Sequence, residues 1–117
     1  MTLDTLHQYC MQKQGVEPCF PFDQTTLVFK VYGKLFALVD VDKFDSINLK
    51  CDPEKAIELR ESYMAIEGGF HMNHKHWNTI HFNQDVPDRL LFELIDHSYL
   101  LVYQGLPKKF RNENPLG

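Results

Sequence analysis

The fifteen residues Gly68-Gly69-Phe70-His71-Met72-Asn73-His74-Lys75-His76-Trp77-Asn78-Thr79-Ile80-His81-Phe82 concentrate the side chains able to do chemistry. They hold the single tryptophan and four of the six histidines, with one lysine and no carboxylate. Lys75 can neutralise phosphate, Asn73 and Asn78 can hydrogen-bond phosphates or base edges, and Trp77 and Phe70 can stack on unpaired bases. His71, His74, His76 and His81 fall in an H-x2-H-x-H-x4-H spacing. Zinc accepts imidazole but wants a closed tetrahedral set, and the stretch has no cysteine or carboxylate to complete one. The histidines therefore read as polar surface that gains positive charge below about pH 6.5. No metal and no cofactor is expected.

Nucleophilic chemistry has little support. A Cys–His pair can be drawn between Cys51 and His71, but nothing in the local sequence signals it, and no Gly-rich phosphate loop, HExxH or GxSxG occurs. Asp96-His97-Ser98 is not a triad by adjacency, because helical neighbours point in different directions and triads assemble in space. Ser98 is expected to pack closely on a buried stripe. The expectation is a protein without enzymatic activity.

Charge narrows the partner. The net charge of −4 argues against a strongly electrostatic duplex binder, since counterion release needs clustered cations. Yet Gly68–Gln84 and Gln104–Arg111 contain Lys75, Lys108, Lys109 and Arg111 and no acid, while all sixteen acidic residues lie elsewhere. These two stretches are expected to fold side by side into an anion-facing surface. Its residues are His71, Asn73, His74, Lys75, His76, Trp77, Asn78, Lys108, Lys109 and Arg111. The competing reading makes Trp77 a core aromatic and the lysines a solvated rim. A protein partner or a homodimer is the rival to nucleic acid, with an exposed sheet face as the docking surface. Phe20, Phe22, Phe44 and Tyr63 form an apolar patch or belong to the core, and the core is favoured.

The elements that must position these residues follow from pattern. Thr2 caps a helix carrying Leu3, Leu6 and Cys10 at helical spacing, and Gly15 stops it. Val16–Gln24, with Pro18 and Pro21, reads as a connector. Thr26–Tyr32 and Leu35–Val41 read as strands joined at Gly33-Lys34, and the second is expected to be central. Ser46–Cys51 is a third strand with Ile47, Leu49 and Cys51 on one face. Asp52-Pro53-Glu54 starts a helix that packs through Ala56, Ile57 and Leu59. Met64–Glu67 and Trp77–Phe82 are strands flanking a polar loop. Pro87 opens the longest helix, with Leu91, Leu94, Ile95, Ser98, Leu101 and Val102 as its stripe.

The order is α-β-β-β-α-β-β-α, which implies a two-layer α+β fold with an antiparallel sheet. At 117 residues the length fits one domain, set at residues 1–111, with 112–117 a fraying tail. No apolar run spans a membrane and no secretory signal is visible. Three scattered cysteines, Cys10, Cys19 and Cys51, do not make a disulfide framework, so free thiols in the cytoplasm are expected.

Several blocks resemble the MmcQ/YjbR family of small bacterial proteins. They are Phe29-Lys30-Val31 with Gly33-Lys34-Leu35-Phe36-Ala37-Leu38, Gly69-Phe70-His71-Met72-Asn73-His74-Lys75-His76-Trp77-Asn78-Thr79, Leu94-Ile95-Asp96-His97-Ser98-Tyr99 and Leu106-Pro107-Lys108-Lys109. The resemblance implies an α-β(3)-α-β(2)-α fold similar to secretion chaperones, described as a double-wing DNA-binding-like domain, in an intracellular bacterial protein. The family motif commonly opens Pro-Gly-Tyr. Here it reads Gly68-Gly69-Phe70, which removes a tyrosine hydroxyl and one hydrogen bond it can offer a ligand.

Overall fold

Leu27, Phe29 and Val31 alternate with Val28 and Lys30, and all three join the hydrophobic core. That alternation decides which side of the sheet is covered. The computed structural model describes residues 1–117. In chain order the elements are α1 (Leu3–Met11), β1 (Val16–Cys19), β2 (Thr26–Val31), β3 (Lys34–Asp40), β4 (Ser46–Lys50), α2 (Pro53–Ser62), β5 (Ile66–Gly68), β6 (Trp77–His81), α3 (Asp88–Gln104) and α4 (Lys108–Glu113). The six strands form one antiparallel sheet in the order β1-β2-β3-β4-β6-β5. The mixed α+β frame is the expected one, β3 and β4 lie at its centre, and β1 and α4 are added to it.

β1 corrects the connector reading. Val16–Cys19 pairs with Val31–Val28 at the sheet margin. Pro18 is tolerated there because an outer strand has one side on which no partner needs its missing N–H. The hairpin also shifts by one residue. Its turn is Tyr32-Gly33, with φ of 47° and 85°, so both central residues are left-handed as a type I′ turn requires. Tyr32 is held in that conformation by its surroundings. Its ring lies so close over Gly15 that a Cβ there would stand 2.5 Å from it, and it meets Phe110 edge-on at 5.1 Å.

The helices lie on one side. α3 packs on β2, β3 and β4, α1 on β1, and α2 on β5 and β6. Thr2 and Asp52 cap α1 and α2 through the Thr5 and Lys55 amides. Only Ala56 of α2 is buried, whereas Ile57 is exposed, so this helix touches the sheet through a narrower stripe than its apolar residues imply. Ser98 does more than pack. Fully buried, its Oγ donates to Phe36 O at 2.6 Å and accepts from Lys50 N at 2.9 Å, which fastens α3 to two adjacent strands. Its neighbours point elsewhere: Asp96 pairs with Lys13 and Tyr9, and His97 Nε2 accepts from Asp52 N at 3.1 Å.

α4 includes Asn112 and Glu113, which the composition placed in a fraying tail. Tyr103 Oη donates to Asn114 O at 2.8 Å, and Gln14 Nε2 donates to Pro115 O at 3.0 Å. No helix is long and apolar enough to cross a membrane.

Ser98→Ala strips two buried backbone groups of their partner, so it should cost about 2–3 kcal/mol, read as a lower urea midpoint with unchanged slope. Loss of less than about 0.5 kcal/mol would show that the two bonds are replaced by water. Desolvation, aided by the Lys55 charge and opposed by Asp52, holds the His97 pKa below its ordinary value. The unfolded chain takes up this proton at about pH 6.5 and the folded chain only lower, so the His97 contribution is complete above about pH 6.5 and is lost as pH falls below it. His97→Gln keeps an acceptor without the titration, and melting curves between about pH 7 and pH 5 should fall less steeply for it than for the parent.

Candidate binding groove on the open sheet face

The side of the sheet away from the helices carries the other half of each alternating strand. Ser46 and Asn48 of β4 alternate with buried Ile47 and Leu49, and Thr79 and His81 of β6 alternate with Asn78 and Ile80, although Thr79 is itself buried, as Asn78 and Ile80 are. With Leu38 and Asp40 of β3 and Thr26 of β2 they floor a groove of about 690 Å³. One wall is the β1–β2 connection, with Phe22 and Asp23. The other is the β5–β6 loop, with Phe70, His71 and Met72. Phe22 and Phe70 are 65% and 59% exposed, high for phenylalanine.

The loop is folded back over the sheet by its own sequence. Gly68 and Gly69 are needed for space, not for a left-handed φ. A Cβ on Gly68 would stand 2.7 Å from the His74 ring, and one on Gly69 would stand 2.7 Å from Trp77 Cβ. Thr79 Oγ1 donates to Asn48 Oδ1 and accepts from Phe70 N at 2.9 Å, drawing Phe70 toward the groove. Asn73 is spent inside the loop. Its Oδ1 accepts from Lys75 N at 2.8 Å, and its carbonyl accepts from His76 N and Trp77 N. Arg60 Nη1 donates to His74 O at 2.8 Å, anchoring the loop to α2. His71 carries a positive φ of 57°, a conformation uncommon outside glycine that the surrounding bonds maintain.

The expected surface divides. His71 lines the groove, and His74, next to it, stacks on Gly68. Lys75 is exposed, and His76 and Trp77 are half-buried. Asn78 is a correction: it is 2% exposed and faces the helix side, where Nδ2 donates to Ala56 O at 3.3 Å and Oδ1 has no partner. Strand parity places it there, since Thr79 takes the open face. The C-terminal cations are not brought to the loop. α4 docks through Phe110 on Tyr32 at the β2–β3 turn, and β2 stands three strand spacings, about 14 Å, from β6. Arg111 Nε is committed to Leu106 O at 3.0 Å, while Lys108 and Lys109 are exposed. The apolar residues weighed for the core also divide, Phe44 and Tyr63 packing against it and Phe20 and Phe22 staying outside.

The groove's electrostatics come from residues outside the expected set. Asp23, Asp40 and Asp45 border it, against the single ammonium of Lys43. Part of their signal was present in the strand alternation: Asp40 alternates with buried Val39 as Ser46 and Asn48 do with Ile47 and Leu49, whereas Asp23 and Asp45 lie outside the strands. His81 Nε2 stands 2.7 Å from Glu67 Oε2, so this imidazole already has a partner. Cys51 is buried on the helix side, where desolvation pushes its thiol up to about 11. It is distant from thiolate chemistry and does not face His71. No three histidine, cysteine or acidic side chains converge at one point.

Gly69→Ala forces the loop off Trp77, which should cost about 1–3 kcal/mol and red-shift the emission of the sole tryptophan. Unchanged emission and midpoint would mean the loop absorbs a methyl freely.

The arrangement has relatives of known sequence and structure. The chain is 36% identical to the uncharacterized protein YbdF of Escherichia coli O157:H7 over 107 residues, covering 91% of this chain and 88% of that one. It is 35% identical to the uncharacterized protein YjbR of Escherichia coli K12 over 112 residues, 95% of each. The crystal structure of Deinococcus radiodurans protein DR2400, a DUF419 domain, superposes with a TM-score of 0.92 at 41% identity, covering 99% of this chain and 89% of that one. A Pseudomonas syringae protein crystal structure superposes at 0.73 with 27% identity, over 86% and 98%. The YjbR family model matches residues 11–101, and this chain belongs to the YjbR family.

Proposed function

We propose that this chain is a non-enzymatic recognition module of the cytoplasm that holds an extended segment of a partner protein on its open sheet face. The groove carries the reading: a concave floor without a covering helix, between two solvent-facing phenylalanines. Exposed aromatic anchors beside a cleft are where interfaces concentrate their binding energy. A nucleic-acid strand laid in the same place would press phosphates against three carboxylates with one ammonium to offset them. Three free thiols fit a reducing compartment.

A second reading, DNA binding, draws on the double-wing resemblance. One observation favours it: Lys108 and Lys109 are exposed on α4, whose first turn carries no acid. About three phosphate contacts there give micromolar or weaker binding that falls steeply with salt.

One pair of measurements separates the readings. Peptides of about ten residues selected from a random display library should bind the parent, and Phe22→Ser/Phe70→Ser should weaken them at least about tenfold. Anisotropy titrations with single- and double-stranded oligonucleotides at two salt concentrations should show weak binding at most, removed by Lys108→Glu/Lys109→Glu. Tight oligonucleotide binding that the lysine variant abolishes and the phenylalanine variant leaves intact, with no peptide selected, would reverse the order.

A further inference from the structure

We infer that the occupant of the groove is basic: an extended partner segment presenting arginine or lysine to Asp40 and Asp45, and apolar side chains to Phe22 and Phe70. The inference rests on the open-face reading above and names the chemistry that face selects.

Asp40 and Asp45 flank the β3–β4 turn, closed by Phe44 N donating to Asp40 O at 2.8 Å, so both carboxylates stand at one end of the groove. Asp40 Oδ1 accepts from the Asp42 and Lys43 amides at 2.9 and 3.0 Å, which leaves Oδ2 for a visitor. Asp45 is tied through its main-chain oxygen, which accepts from Phe82 N at 2.9 Å, and its carboxylate is unengaged. Asp23 adds a third charge at the same end, beside Thr26, which is paired with Asp40. Both its oxygens are occupied by the Thr25 and Thr26 amides and the Thr26 hydroxyl, so it supplies field more than bonds.

A guanidinium binds a carboxylate through two parallel hydrogen bonds and lies favourably over a phenyl face. This groove offers both partners. The floor from β2 to β6 is about 14 Å across, spanned by about four extended residues, which suits a short segment. The whole molecule's charge of −4 draws a basic partner and repels an acidic one. The chain's own exposed cations, Lys108 and Lys109, make a second copy the competing occupant.

Three fluorescein-labelled peptides of about eight residues test this by anisotropy: alternating Arg/Leu, Gln/Leu and Glu/Leu. The Arg/Leu peptide should bind at least about tenfold tighter than Gln/Leu, and Glu/Leu should not bind. Asp40→Asn/Asp45→Asn, which keeps the turn acceptor and removes both charges, should erase the advantage of Arg/Leu over Gln/Leu. Equal binding of Arg/Leu and Gln/Leu, still lost in Phe22→Ser/Phe70→Ser, would overturn the charge selection and leave the open-face reading standing. No binding of any peptide would overturn both. Sedimentation of the free parent as a dimer that Phe70→Ser dissolves would also overturn it, assigning the face to a second copy.

Discussion

Three helices can close one face of a six-stranded sheet and not two. The strands stand about 4.8 Å apart and a helix with its side chains is about 10–12 Å across, so α1, α3 and α2 are consumed in covering β1 through β5 once. Everything else follows from that shortage of helix. The hydrophobic cluster forms on the covered side, and Ser98 locks α3 to Phe36 and Lys50 there. The second side is left to polar alternation and to whatever the loops can reach.

The loops reach over it by local chemistry. Thr79, itself buried, is bonded to Asn48 on the open side of the sheet and also receives the Phe70 amide. The glycine pair allows the return without a collision against His74 or Trp77. The side chains with the richest chemistry in the sequence are thus spent mainly on building a wall. Asn73 closes a turn, the His74 ring lies on a glycine, and Asn78 joins β6 to α2. The rest of the groove's lining is drawn from residues that composition does not single out, such as Asp45 and Phe22.

Where one physical rule dominated, the fold was legible from pattern. The Asp52-Pro53-Glu54 start and the alternation in β2 and β4 hold, and the stripe of α3 holds except that Tyr99 and Tyr103 are buried and Leu101 is not. β1 was hidden because Pro18 reads as a breaker unless the strand is known to be outermost. The Tyr32-Gly33 turn was displaced because a left-handed tyrosine is stabilised only by distant partners, Gly15 and Phe110. Of the groove's lining, the pattern had singled out one component, the loop with Phe70 and His71. The lack of acid in two segments says nothing of their distance, and α4 went to Tyr32 through the apolar contact of Phe110, carrying Lys108 and Lys109 with it.

The margins of the sheet have a consequence of their own. A bare row of amides at an outer strand invites a foreign chain to continue the hydrogen-bond ladder and to aggregate. Here one border carries Pro18, which interrupts the donor row, and the other is β5, three residues long and followed by Gly69. Neither border is a good template for an extra strand. Side-by-side growth of sheets is thereby suppressed, and the surface the fold leaves open is the broad flat of its sheet.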